Sequence, residues 1–138
     1  MTIFDKVRNK YGHLKQSAFG RLIRVTSVQV HNYEQYGVPM HRTNIMLNII
    51  NMRDVRYIKK MVRRPISPRK FRVIRERLAV TSSDFADILQ CHKRTIDNLE
   101  DGKSGISESL SLLMLLLDDC DDDELAKLGF KQVKSYPL

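Results

Sequence analysis

Thr81-Ser82-Ser83-Asp84-Phe85-Ala86-Asp87-Ile88-Leu89-Gln90-Cys91-His92-Lys93-Arg94-Thr95-Ile96-Asp97-Asn98-Leu99-Glu100 is the stretch that decides the fold. Phe85, Ile88 and Leu89 fall at i, i+3 and i+4, on one face of a helix, and Ile96 with Leu99 repeats the i, i+3 relation. Gln90, Cys91 and His92 leave chain enough only for a tight turn, so the spacing predicts two short helices meeting at an angle. Thr81 or Ser82 can cap the first helix, and the second begins at His92 or Lys93.

Working outward, Ser67-Pro68-Arg69-Lys70 has the form of a capped helix start with proline at the first position, and Phe71, Ile74 and Leu78 follow at helical spacing. Downstream, Asp101-Gly102 marks a turn and Ser107 to Leu117 is a strongly apolar helix ended by an acidic run. The pattern occurs twice. At an offset of 66, Ser17 falls on Ser83, Phe19 on Phe85, Asn32 on Asn98 and Glu34 on Glu100. Apolar positions follow: Leu22 meets Ile88, Ile23 meets Leu89, Val30 meets Ile96 and Tyr33 meets Leu99, while Gly20 meets Ala86, also a small residue. The first copy opens with Phe4, Val7, Tyr11 and Leu14 at helical spacing and turns at Tyr36-Gly37-Val38-Pro39. Each copy reads as four or five helices without a strand signal. Between them, Asn51 to Arg64 can prolong the last helix of the first copy as a basic amphipathic connector, ended by Pro65 and Pro68.

Charge is distributed unevenly over the 138 residues. Residues 1–66 hold 13 Lys or Arg against 3 Asp or Glu, a net +10, and residues 67–138 hold 11 against 13, a net −2. The total of +8, with a pI near 9.7, suits a polyanionic partner. A composition of 42% hydrophobic and 29% charged residues is that of a globular chain. No stretch reaches the roughly 18 apolar residues of a membrane span, and the N-terminus lacks the pattern of a cleaved signal, so no membrane partner and a cytoplasmic location are expected. Cys91 and Cys120 form no disulfide framework and show no CxxC spacing, which fits a reducing compartment.

The segment from Thr81 to Gly102 resembles the Cro and phage-repressor (XRE) class of helix-turn-helix proteins. It has the Thr and polar cap, an Ala in the first helix, a turn, a Thr-Ile pair in the second helix and a closing Glu with Gly. Copy one resembles it from Lys15 to Glu34. Both copies depart from the family at the turn, with Arg24 and Gln90 where Gly is frequent. The resemblance implies an all-α fold of two tandem lambda-repressor-like helix-turn-helix domains, at 1–52 and 67–117, joined by a basic helical connector at 53–66 and followed by an acidic segment at 118–138. It also implies a sequence-specific double-stranded DNA-binding regulator, a repressor of a bacterial, phage or mobile-element operon, located with the nucleoid when bound. Glu34 and Glu100 take the family's structural acidic position, orienting the fold.

In this architecture the second helix enters the major groove with its N-terminal residues at base edges, while the first crosses the backbone. Lys93, Arg94, Thr95, Asp97 and Asn98 are then the reading residues of copy two, with Arg94 suited to guanine and Asn98 to adenine. In copy one they are Ser27, Val28, Gln29, His31 and Asn32; Val28 suits a thymine methyl, and Gln29 or Asn32 an adenine. Gln16, Ser17, Ser82 and Ser83 open the backbone-crossing helices, where they can contact phosphate or serve as plain caps. Lys59, Lys60, Arg63 and Arg64 are phosphate-contact candidates in the connector.

An enzyme needs a nucleophile with its base, paired carboxylates or a metal cluster, and the sequence displays none, so neither catalysis, a cofactor nor a metal is expected. The rival reading is an antitoxin or adaptor that binds a protein partner, or a second copy as a homodimer, through the apolar Leu110 to Leu117, with DNA secondary.

Overall fold

The computed structural model describes residues 2–53 and 65–130. Those residues are all-helical, and the chain divides into two compact units, 1–63 and 64–138.

In the first unit, helices run over Ile3–Lys10 (α1), Gln16–Ile23 (α2), Ser27–Tyr36 (α3) and His41–Asn51 (α4). Local chemistry starts two of them. Thr2 and Asp5 exchange side-chain and backbone hydrogen bonds across the first turn of α1, and Thr26 and Gln29 do the same for α3. Such a capping box satisfies two of the backbone donors that a helix start leaves without partners. Helix α1 packs on α4 and α2 on α3, around Phe4, Val7, Phe19, Ile23, Val30, Leu47 and Ile50, all buried. Phe4 sits edge-on to both Phe19 and Tyr33, with ring centroids 5.9 and 5.8 Å away. Leu14, expected on the first helix, lies beyond it. Helix α1 ends at Lys10 and Tyr11 is its cap, because the chain must turn there to start α2 at Gln16. Helix α4 ends at Asn51 with Met52 as cap, and Lys10 Nζ donates to the carbonyls of Asn51 and Arg53, at 3.1 and 3.2 Å. The connector residues Lys59, Lys60, Arg63 and Arg64 lie outside the described residues.

In the second unit, helices run over Pro68–Arg77 (α5), Ser82–Leu89 (α6), Lys93–Glu100 (α7), Glu108–Asp119 (α8) and Asp122–Lys127 (α9). Ser67 caps α5 with Pro68 in its first turn, Thr81 caps α6 and Ser107 caps α8, each hydroxyl accepting from a backbone N–H three residues on. Helix α5 packs on α7 and α8, and α6 on α7. Helix α8 is buried nearly all round: Leu110, Ser111, Leu112, Leu113, Met114, Leu116 and Leu117 are all inside. Its buried Ser111 hydroxyl accepts from Ile66 N at 3.0 Å, tying the chain ahead of α5 to this helix.

The acidic segment expected from residue 118 does not stand apart as far as Phe130. Asp118 closes the last turn of α8 facing Lys70 and Arg77, each 3.7 Å away, and Leu125 and Phe130 are buried, with the Phe130 ring 6.3 Å from Phe85. Its acidic residues decorate a helix whose apolar side belongs to the core. No helix among the described residues is long and apolar enough to cross a membrane.

Candidate nucleic-acid interface

Helices α2 and α3 are joined by Arg24, Val25 and Thr26, and α6 and α7 by Gln90, Cys91 and His92. Both turns begin with a residue in the left-handed region, Arg24 at φ 62° and Gln90 at φ 56°, each capping the helix before it. Where glycine is frequent in the resembling family, these side chains carry a conformation that L-residues enter at a cost of about 1 to 2 kcal/mol. Close approach across the turn also dictates residue size. Val25 N donates to Gly20 O at 2.8 Å and Cys91 N to Ala86 O at 2.9 Å, and a Cβ on Gly20 would lie 2.6 Å from Val25 O.

The second helix of each pair is anchored by the same device. In unit two, Arg75 on α5 donates to both carboxylate oxygens of Glu100, at 2.5 and 3.4 Å, and to Val80 O at 2.8 Å. In unit one, Arg8 on α1 donates to Glu34 Oε1 at 2.9 Å and to Leu14 O at 2.9 Å, and its guanidinium lies 4.9 Å from the Phe19 ring centroid. Each arginine therefore fastens the far end of the second helix to the loop that leads into the first. Side-chain exposures of 11% and 8% in unit two, against 20% and 29% in unit one, make the second pair the drier.

Gln16, the first residue of α2, donates its amide to Glu34 Oε2 at 2.9 Å and comes within 3.4 Å of His31 Nδ1. Burial pushes the Glu34 carboxyl up, but hydrogen bonds from Arg8 and Gln16 and the charges of Arg8 and His31 outweigh it, leaving the group below its ordinary range. In unit two Asp97 occupies the place of His31. Its carboxylate accepts from Lys93 at 2.9 Å, and that hydrogen bond first, then the Lys93 charge, the Ser82 hydroxyl and the Arg75 charge, hold it below the usual aspartate range against desolvation.

Of the residues expected to read bases, Lys93, Arg94 and Thr95 form the exposed first turn of α7, while Asp97 and Asn98 are half-buried. The Lys93 charge is shared with Asp97, leaving Arg94 as the cation that projects from that turn. On α3, Ser27, Val28, Gln29, His31 and Asn32 are all exposed. Gln29 is in use as a cap, its Oε1 accepting from Thr26 N at 2.9 Å. Ser17, Ser82 and Ser83 lie in the first turns of α2 and α6; the caps themselves are Lys15, which makes no side-chain cap bond, and Thr81. Gln35 is also exposed and follows Val28 and Asn32 at i+7 and i+4, on the same side of α3.

Among the described residues no group of three His, Cys, Asp or Glu is placed to hold a metal ion. No protein-family model matches the chain, and neither curated proteins nor solved structures yield a match.

Proposed function

We propose that the chain is a sequence-specific double-stranded DNA-binding regulator that works through two helix-turn-helix units, as a repressor of a bacterial, phage or mobile-element operon. The observation that carries the reading is the repeated construction: helix, three-residue turn and second helix, with the second helix pinned by an Arg–Glu pair and presenting an exposed first turn. A helix held rigidly at its far end and bare at its near end suits insertion into a major groove, and a net +8 suits the phosphates around it. The repressor role rests on the family resemblance.

The rival reading, capture of a partner through Leu110 to Leu117, lacks a surface, since Leu110, Leu112, Leu113, Leu116 and Leu117 are buried. The test is selection of duplexes from a random pool, followed by gel shifts with Arg94→Ala. Loss of a bidentate arginine–guanine contact costs about 1 to 3 kcal/mol and relaxes preference at one position. If the variant kept every base preference of the parent, the placement of α7 would be wrong.

A further inference from the structure

The first turn of α3 carries Ser27, Val28 and Gln29, and the structure separates the last two sharply. Gln29 Oε1 accepts from Thr26 N at 2.9 Å while Thr26 Oγ1 accepts from Gln29 N at 3.1 Å. An amide that reads adenine bidentately needs both its oxygen and its nitrogen at the base edge. The Gln29 oxygen is committed to the cap. Val28 is turned the other way: Val30 and Tyr33 face the core, and Val28, Asn32 and Gln35 share the opposite, exposed side.

Val28 is 67% exposed, a branched apolar side chain projecting from a polar face in the half of the chain that carries +10. Exposure of that kind is ordinary for one residue taken singly. Its position is what distinguishes it, because it matches Arg94 of α7 at the offset of 66, on the first turn of the second helix. In a major groove the apolar feature that complements such a side chain is the 5-methyl group of thymine.

Resting on the DNA-binding reading above, we infer that Val28 is the specificity-determining residue of unit one, packing on a thymine 5-methyl, and that Gln29 is a positioning residue that holds the first turn of α3 without touching a base. Unit one then discriminates by a methyl contact where unit two uses a guanidinium.

The full-length chain is used to select duplexes, and each selected thymine is replaced in turn by deoxyuridine, which deletes the methyl and leaves the pairing edge intact. At one thymine the replacement weakens binding about fourfold, the effect of one buried carbon. Val28→Ala binds the thymine and deoxyuridine duplexes alike, and Val28→Ile restores the discrimination. Because Val28 is exposed, both variants unfold at the parent's temperature. Gln29→Glu keeps an oxygen for the cap, so it weakens binding to all duplexes through its charge but leaves the preferred base at every position unchanged. Indifference of the parent to deoxyuridine everywhere, or discrimination retained by Val28→Ala, overturns the Val28 assignment and leaves the DNA reading standing. A changed base preference in Gln29→Glu overturns the positioning role. Enrichment of no duplex at all overturns the DNA reading and this inference with it.

Discussion

Arg24 and Gln90 occupy one position in the two units and share a backbone conformation that side chains usually avoid, at φ 62° and 56°. Glycine there would relieve the steric cost but lose more conformational entropy on folding, so Gln90→Gly should raise stability by about 0.5 to 1 kcal/mol, read as a higher urea midpoint. Gly20 poses the opposite problem. A Cβ 2.6 Å from Val25 O cannot be accommodated without moving the turn, and Gly20→Ala should cost about 1 to 3 kcal/mol by overpacking, checked by thermal unfolding. Glu34 adds a pH dependence. Its folded value lies below the ordinary 4.5, so its pairing contributes stability above that pH and loses it as the pH falls through the folded value. The difference in urea midpoint between the parent and Glu34→Gln should be present at neutral pH and close as the pH drops below 4.5.

At the scale of elements, the second helix of each pair depends on a helix distant in sequence. Arg75 and Glu100 are nearly buried, and removing one partner of such a pair strands the other, so Arg75→Ala should destabilise unit two by about 3 kcal/mol or more. Arg8→Ala should cost less, because its pair with Glu34 is wetter; denaturant titrations of the two variants make the comparison. The acidic ends of these pairs were legible from the resemblance, and the arginines were not. At the offset of 66 Arg8 falls on Ile74, and the match is hidden. Unit one has three residues between Tyr11 and Lys15, whereas unit two has two between Leu78 and Thr81, so the opening helices correspond at 67. At that register Phe4 meets Phe71, Val7 meets Ile74, Arg8 meets Arg75 and Tyr11 meets Leu78. A gap of one residue in a loop is invisible to an ungapped shift but obvious once both arginines are seen donating to the same two places.

At the scale of the whole molecule, charge is divided unevenly between the halves. Residues 1–66 carry +10 and residues 67–138 carry −2, while Arg94, the cation that projects from the first turn of α7, belongs to the second half. On the proposed DNA-binding reading, bulk attraction to phosphate falls to the first half and the connector. Arg63→Ala should weaken binding to all duplexes alike and flatten the plot of log affinity against log salt by about one unit of slope, measured by gel shift from low to moderate salt. Arg94→Ala should instead change which duplex is preferred. Opposite results for the two variants would reverse this division.

The alternation of caps, apolar faces and turns was enough by itself to place α1 to α8 and their repetition, because a helix of eight to twelve residues is specified by its own start signal and its own buried stripe, but α9, six residues inside the acidic run, shows only in the fold. It was also enough to put Val28 and Arg94 on the first turns of α3 and α7. Tertiary structure alone decided which polar side chains are drawn into distant pairs. Gln29, three residues after Thr26, is committed by a local capping box, whereas Gln16 is drawn onto Glu34, far along the chain. It likewise decided that the apolar run from Leu110 to Leu117 is core and that the chain from Asp118 to Phe130 belongs with it. The reason is common to these cases: a hydrogen bond or a buried face depends on what the fold brings within about 3 to 4 Å, and sequence separation does not encode that distance.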